Sequence, residues 1–156
     1  MNNRLVVLVL GLALTACTAR EGEGVPPTAS VAPLVGHALC GDHVLVDFRT
    51  DDEMRAGVTA VGSDPRVRQV FTETREEALA HYKEIFESRP ELVEIARVEA
   101  MPASLKLLPA PGVDVRGLAT SLREEFPGAK KVDSFTRPTD DPDVPDCPES
   151  GLWPPR

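Results

Sequence analysis

The chain has 156 residues, of which 42% are hydrophobic and 4% aromatic, so a core built from it must rely on aliphatic side chains. Its formal net charge of −8 argues against nucleic acid as a partner, because binding phosphates requires a basic patch. The same charge argues against electrostatic attachment to anionic lipid, so any attachment to a membrane must be hydrophobic.

Residues 1–16 predict a signal peptide. Arg4 provides a positive charge, and the stretch from Leu5 to Leu14 is almost entirely apolar. That stretch is too short for a membrane-spanning helix, which needs about 20 residues, and it is typical of a secretory leader. We therefore expect an exported chain.

The run Leu14-Thr15-Ala16-Cys17 resembles the lipobox of bacterial lipoproteins. The resemblance implies that Cys17 receives a diacylglycerol and that the leader is cut just before it. Several acyl chains would anchor the protein to a membrane, facing the cell envelope, because each buried CH₂ contributes roughly 0.8 kcal/mol. An ordinary secretory signal that ends near a cysteine is the alternative.

The two ends of the remaining chain differ in composition from its middle. Residues 17–39 are rich in Gly, Pro and Ala, and they predict a lipidated N-terminus with a flexible tether. Residues 137–156 are rich in Pro and Asp and predict an irregular tail, solvated rather than calcium-binding because prolines interrupt its aspartates. Residues 40–136 are predicted to form one folded domain.

The domain opens with a strand, a helix and a strand. Alternating apolar residues predict the first strand over His43–Phe48. Thr50 and Glu53 have the spacing of a capping box, which predicts a helix running to Val61. Residues 67–71 then predict a second strand.

Two helices follow in succession. Thr74 and Glu77 have the spacing of a second capping box, which predicts a helix running to about Ser88. The run Ser88-Arg89-Pro90-Glu91 predicts the start of a second, short helix. Together these helices predict a small inserted lobe over residues 75–97.

The domain closes with a second strand-helix-strand unit. Residues 104–108 predict a strand, Asp114 precedes an amphipathic helix to Phe126, and residues 130–136 predict the last strand. The order predicts an α+β fold, a ferredoxin-like split β-α-β sandwich with an inserted two-helix lobe. Its sheet would be four-stranded and antiparallel, with helices on one face.

Cys40 and Cys147 flank this domain, and in an exported chain such a pair predicts a disulfide. One alternative is a zinc site, because His37, Cys40 and His43 have metal-ligand spacing and Cys147 could be a fourth ligand. The absence of a paired Cys-x-x-Cys motif favours the disulfide.

From about Val44 to Phe135 the chain resembles the extracellular domain of FtsX, the permease-like cell-division protein. The matching pieces are the first strand at 44–48, Ser-Asp-Pro-Arg-Val at 63–67, Thr-Arg-Glu-Glu-Ala at 74–78, Tyr-Lys-Glu-Ile-Phe at 82–86, Pro-Glu-Leu-Val at 90–93 and Met-Pro-Ala-Ser-Leu at 101–105. None of these motifs is specific by itself. The resemblance rests on the order in which they occur along the domain.

The resemblance implies a non-catalytic domain with an α/β lobe and a smaller helical lobe. In that family, exposed apolar residues of the helical lobe dock a helical segment of a peptidoglycan hydrolase or its activator. The corresponding positions here are Tyr82, Ile85, Phe86, Leu92 and Val93. The family relays ATP-driven motion through membrane helices, which this chain does not contain, so we expect partner binding without that relay.

Two rival function classes remain open. A hydrolytic enzyme would need a converging base, nucleophile or metal, and no Ser-His-Asp or paired-carboxylate pattern stands out. A passive structural or ligand-binding lipoprotein would need no partner. We expect no catalytic residue, metal, cofactor or small-molecule substrate.

Overall fold

The computed structural model describes residues 29–34, 39–137, 147–148 and 150–152. Cys17, the signal peptide, His37 and the acidic residues of the tail lie outside them. The elements are β1 (Ser30–Pro33), β2 (His43–Phe48), α1 (Asp51–Val61), β3 (Val67–Glu73), α2 (Arg75–Ile85), α3 (Pro90–Ile95), a 3₁₀ turn (Val98–Ala100), β4 (Ala103–Pro109), α4 (Val115–Glu125) and β5 (Lys131–Phe135). None of the helices described is both long and apolar enough to cross a membrane.

The sheet has five strands in the order β1-β3-β4-β2-β5. The four strands predicted from the sequence are antiparallel to their neighbours and have the ferredoxin-like order, so the predicted fold class is confirmed. The first strand was predicted with its observed bounds, and the others lie within a few residues of their predicted ones.

The fifth strand, β1, was not predicted. It pairs in parallel with β3, and backbone bonds from Ala29 to Gly62 and from Leu34 to Thr72 fix its two ends. It lies within residues 17–39, the stretch predicted to be a tether. The open hydrogen-bonding edge of β3 explains the difference, because the unpaired backbone groups of an edge strand can pair with an extended segment.

One face of the sheet carries the hydrophobic core. The alternation predicted for β2 is confirmed, since Val44, Val46 and Phe48 are all buried. Helices α1 and α4 cover this face, contributing Met54, Val61, Val115, Leu118, Ala119 and Leu122 to the core. Both are thus on the same side of the sheet, as predicted.

Side-chain caps explain where the helices begin. Both predicted capping boxes are present, with Thr50 accepting from the Glu53 amide and Thr74 from the Glu77 amide. Asp114 accepts two amide hydrogen bonds at the start of α4. Helix α2 ends at Ile85 rather than at the predicted Ser88, because Phe86 leaves the helical conformation and the chain turns toward Pro90.

The opposite face of the sheet is partly covered by a terminal clip, which we define as residues 39–41 together with the described residues of 147–152. The predicted disulfide between Cys40 and Cys147 is confirmed, with the sulfurs 2.08 Å apart, so neither thiolate remains for the alternative zinc site. The Cys40 amide donates to the Gly151 carbonyl at 3.0 Å. A side chain at Gly151 would meet Leu108 at 2.9 Å, so the clip lies directly on Leu108, which is 1% exposed.

Candidate protein-binding surface

The helical lobe, residues 75–100, comprises α2, α3 and the 3₁₀ turn. These three elements contain no buried residue, whereas α1 and α4 bury three and four. The lobe therefore has no enclosed core of its own, although its helices carry several large apolar side chains.

Polar contacts hold the lobe to the sheet domain. The Arg75 amide donates to Asp51 at 2.9 Å, and the Arg75 guanidinium donates to the carbonyl of Met101, just beyond the lobe, as well as to that of Val98 within it. Glu73, at the end of β3, contacts His81 of α2 at 3.2 Å and Lys106 of β4 at 2.8 Å. These contacts position the lobe through its polar side chains.

The five residues predicted for partner binding are all in this lobe and all at least partly accessible. The rings of Tyr82 and Phe86 contact each other, with centroids 4.5 Å apart. Ile85 is 59% exposed. Leu92 and Val93 of α3 are half-buried, and α3 packs against α2. The structure thus pairs Tyr82 with Phe86 and leaves Ile85 open to solvent.

Two accessible apolar features were missed by the sequence reasoning. Ile95, the last residue of α3, is 68% exposed. An open groove of about 420 Å³ also runs between α2 and the 3₁₀ turn, lined by Glu76, Leu79, Ala80, Lys83 and Val98. The α2 members recur at helical spacing, which was a usable signal, but the 3₁₀ turn that completes the groove has no sequence signature.

The groove and Ile85 occupy different sides of α2. Successive residues turn by about 100°, so Ile85 lies roughly opposite the centre of the face that carries Ala80 and Lys83. Helix α2 therefore offers apolar side chains to solvent in two directions.

Two titratable groups outside the lobe, His43 and Asp64, have lowered pKa values. Burial lowers the pKa of His43, whose Nδ1 donates to the Gly41 carbonyl at 2.8 Å and whose ring stacks on Phe135. The hydrogen bonds from Arg66 lower the pKa of Asp64. Both arrangements are explained by local packing and pairing. Among the described residues, no group of three or more His, Cys, Asp or Glu side chains is placed to hold a metal.

Comparison with known protein families supports an assignment. Residues 44–136, more than half of the chain, match the family model described as "FtsX extracellular domain". The matched range covers β2 from Val44 onward, the strands β3, β4 and β5, and the whole helical lobe. None of the curated proteins compared with the chain matches it.

Proposed function

From the premise that this chain belongs to the FtsX extracellular domain family, we propose that it is a non-catalytic, lipid-anchored envelope protein that binds a protein partner in cell division or wall remodelling. The family consists of non-catalytic domains and relates to cell division. Because its members are extracellular domains, membership indicates an exported chain.

The observation that carries the binding proposal is the exposed apolar surface of the helical lobe. Ile85 and Ile95 are 59% and 68% exposed, and no side chain of α2 or α3 is buried. Fully burying an exposed large aliphatic side chain is worth roughly 1.5–3 kcal/mol, and clustered exposed apolar side chains are typical of protein interfaces. A helix of the partner laid across this surface would bury them.

We assign the binding role to Tyr82, Ile85, Phe86, Leu92 and Val93, and the partner to a peptidoglycan hydrolase or its activator. The family resemblance supports both assignments. The membrane anchor is assigned to Cys17, on the strength of the leader that precedes it. A lipid anchor holds the lobe near the membrane but supplies no coupling to ATP hydrolysis, so the protein would recruit its partner rather than drive it.

Capture of crosslinked partners from solubilised membranes tests the proposal. Ile85→Ser removes an exposed apolar side chain without changing charge, and the loss of its burial should weaken capture by about 10- to 100-fold. Val31→Ser is the matched control, because Val31 is also exposed, at 48%, but lies on β1. Equal capture by both variants would contradict the assignment to the lobe, and capture of no protein would favour a passive lipoprotein.

A further inference from the structure

The apolar residues of the lobe lie among carboxylates. Residues 84–95 contain four glutamates and one arginine besides their five large apolar side chains. All four glutamates, Glu84, Glu87, Glu91 and Glu94, are exposed, and each is next to or near an apolar member of the surface. This segment therefore carries three of the net negative charges of a chain whose total is −8.

These four carboxylates form no ion pair with another described residue. The ion pairs in the described part of the chain join other acids, such as Asp52 to Arg55 and Asp64 to Arg66. Arg97, the base that follows α3, instead donates to the carbonyls of Glu94 and Ala96 at the end of that helix. Over the whole lobe, residues 75–100, seven glutamates outnumber four basic residues, which leaves a net charge of −3.

We propose that the lobe selects a basic amphipathic segment, one whose apolar stripe is flanked by Lys or Arg. This inference rests on the proposed function and adds the chemistry of the partner. The apolar stripe would cover Ile85 and Ile95, while the flanking cations would face the four glutamates. Long basic side chains suit both tasks, because their aliphatic stems pack on apolar surface and their charged ends reach the carboxylates. An acidic segment would be repelled, and complementary charge would also speed association.

Two synthetic helical peptides with the same leucine stripe test the proposal, one with flanking lysines and one with flanking glutamates. Binding to the full exported chain in neutral detergent is followed by fluorescence anisotropy, at low salt and at about 0.5 M salt, where the screening length is only a few ångströms. The lysine peptide should bind, and salt should weaken it at least several-fold. Ile85→Ser should reduce that binding, which separates lobe binding from uptake by detergent.

Paired variants locate the charge effect. Glu84→Gln with Glu87→Gln, or Glu91→Gln with Glu94→Gln, should each weaken lysine-peptide binding by about 2- to 10-fold at low salt, the range for two exposed ion pairs. Glu124→Gln with Glu125→Gln removes the same charge from the exposed surface of α4 and should change binding by less than about 2-fold.

Three results would overturn the charge preference: tighter or equal binding of the glutamate peptide, no binding of either peptide, or equal effects of the lobe and α4 variants. If the chain still captures a protein partner through Ile85 in that case, the proposed function stands without this inference. If Ile85→Ser leaves partner capture unchanged, the proposed function itself fails.

Discussion

Removing the disulfide should destabilise the domain mainly through its unfolded state. The change is Cys40→Ala with Cys147→Ala, which leaves the backbone bonds of the terminal clip available. The crosslink spans 107 residues of sequence, and the chain-entropy model gives about 4.8 kcal/mol for closing a loop of that length. Domains of this size have total stabilities of about 5–15 kcal/mol. Removing the crosslink should therefore remove a large part of the free energy of unfolding.

Urea unfolding of the oxidised protein and of the double variant measures this loss. We expect the free energy of unfolding to fall by about 2–5 kcal/mol, and the denaturant slope to rise because the uncrosslinked unfolded chain exposes more surface. Hydrogen exchange at the amides of β4 should remain protected in native conditions, since the core face does not involve the clip. A loss below about 1 kcal/mol, or an unchanged slope, would refute the unfolded-state mechanism.

Three further outcomes follow from the sequence and structure. Cys17→Ser should release the protein from membranes, and its continued sedimentation with them after washing in high salt would exclude the lipid anchor. Gly57→Val should lower the free energy of unfolding by about 1–3 kcal/mol in chemical denaturation, because a Cβ at this position lies 2.9 Å from the Phe48 ring. Gly128→Val is the control: a Cβ there meets no atom within 4 Å, so stability should change by less than about 0.5 kcal/mol. Burial lowers the pKa of His43 below its ordinary value of 6.5, so the folded state favours neutral imidazole. The contribution of neutral His43 to stability is complete above pH 6.5 and is lost as the pH falls toward the folded-state pKa. His43→Gln should therefore make the unfolding midpoint less sensitive to acid, and an unchanged sensitivity would assign it to another group.

Local patterns were sufficient to predict most of the elements. The alternation of Val44, Val46 and Phe48 and the capping spacing at Thr50 and Thr74 are short-range signals, and the structure has the strand and both caps. The pairing of Cys40 with Cys147 was predicted because an exported chain with two cysteines beyond Cys17 favours a disulfide, and not from any geometric signal. These predictions needed no knowledge of distant contacts.

The features that could not be predicted depend on contacts between distant residues. Strand β1 forms because β3 presents an open edge, not because its own sequence favours a strand. Leu108 is buried by the clip, and nothing around it in sequence shows that residue 151 lies on it. The groove beside α2 likewise forms only because the chain brings Val98 close to Leu79 and Ala80. For the apolar surface of the lobe, the sequence showed which apolar side chains the two helices carry. It did not show that Ile85 and Ile95 would be the most exposed of them.

The covalent link at the clip also decides how the domain responds to tension. A pull between the chain's N-terminal side and its tail would first strip the four-residue β1 from β3 and would then be borne by the bond between Cys40 and Cys147. Everything between those cysteines, including the helical lobe, would carry no load. The lobe would keep its shape under such a pull, so tension on the ends of the chain would not deform the proposed binding surface.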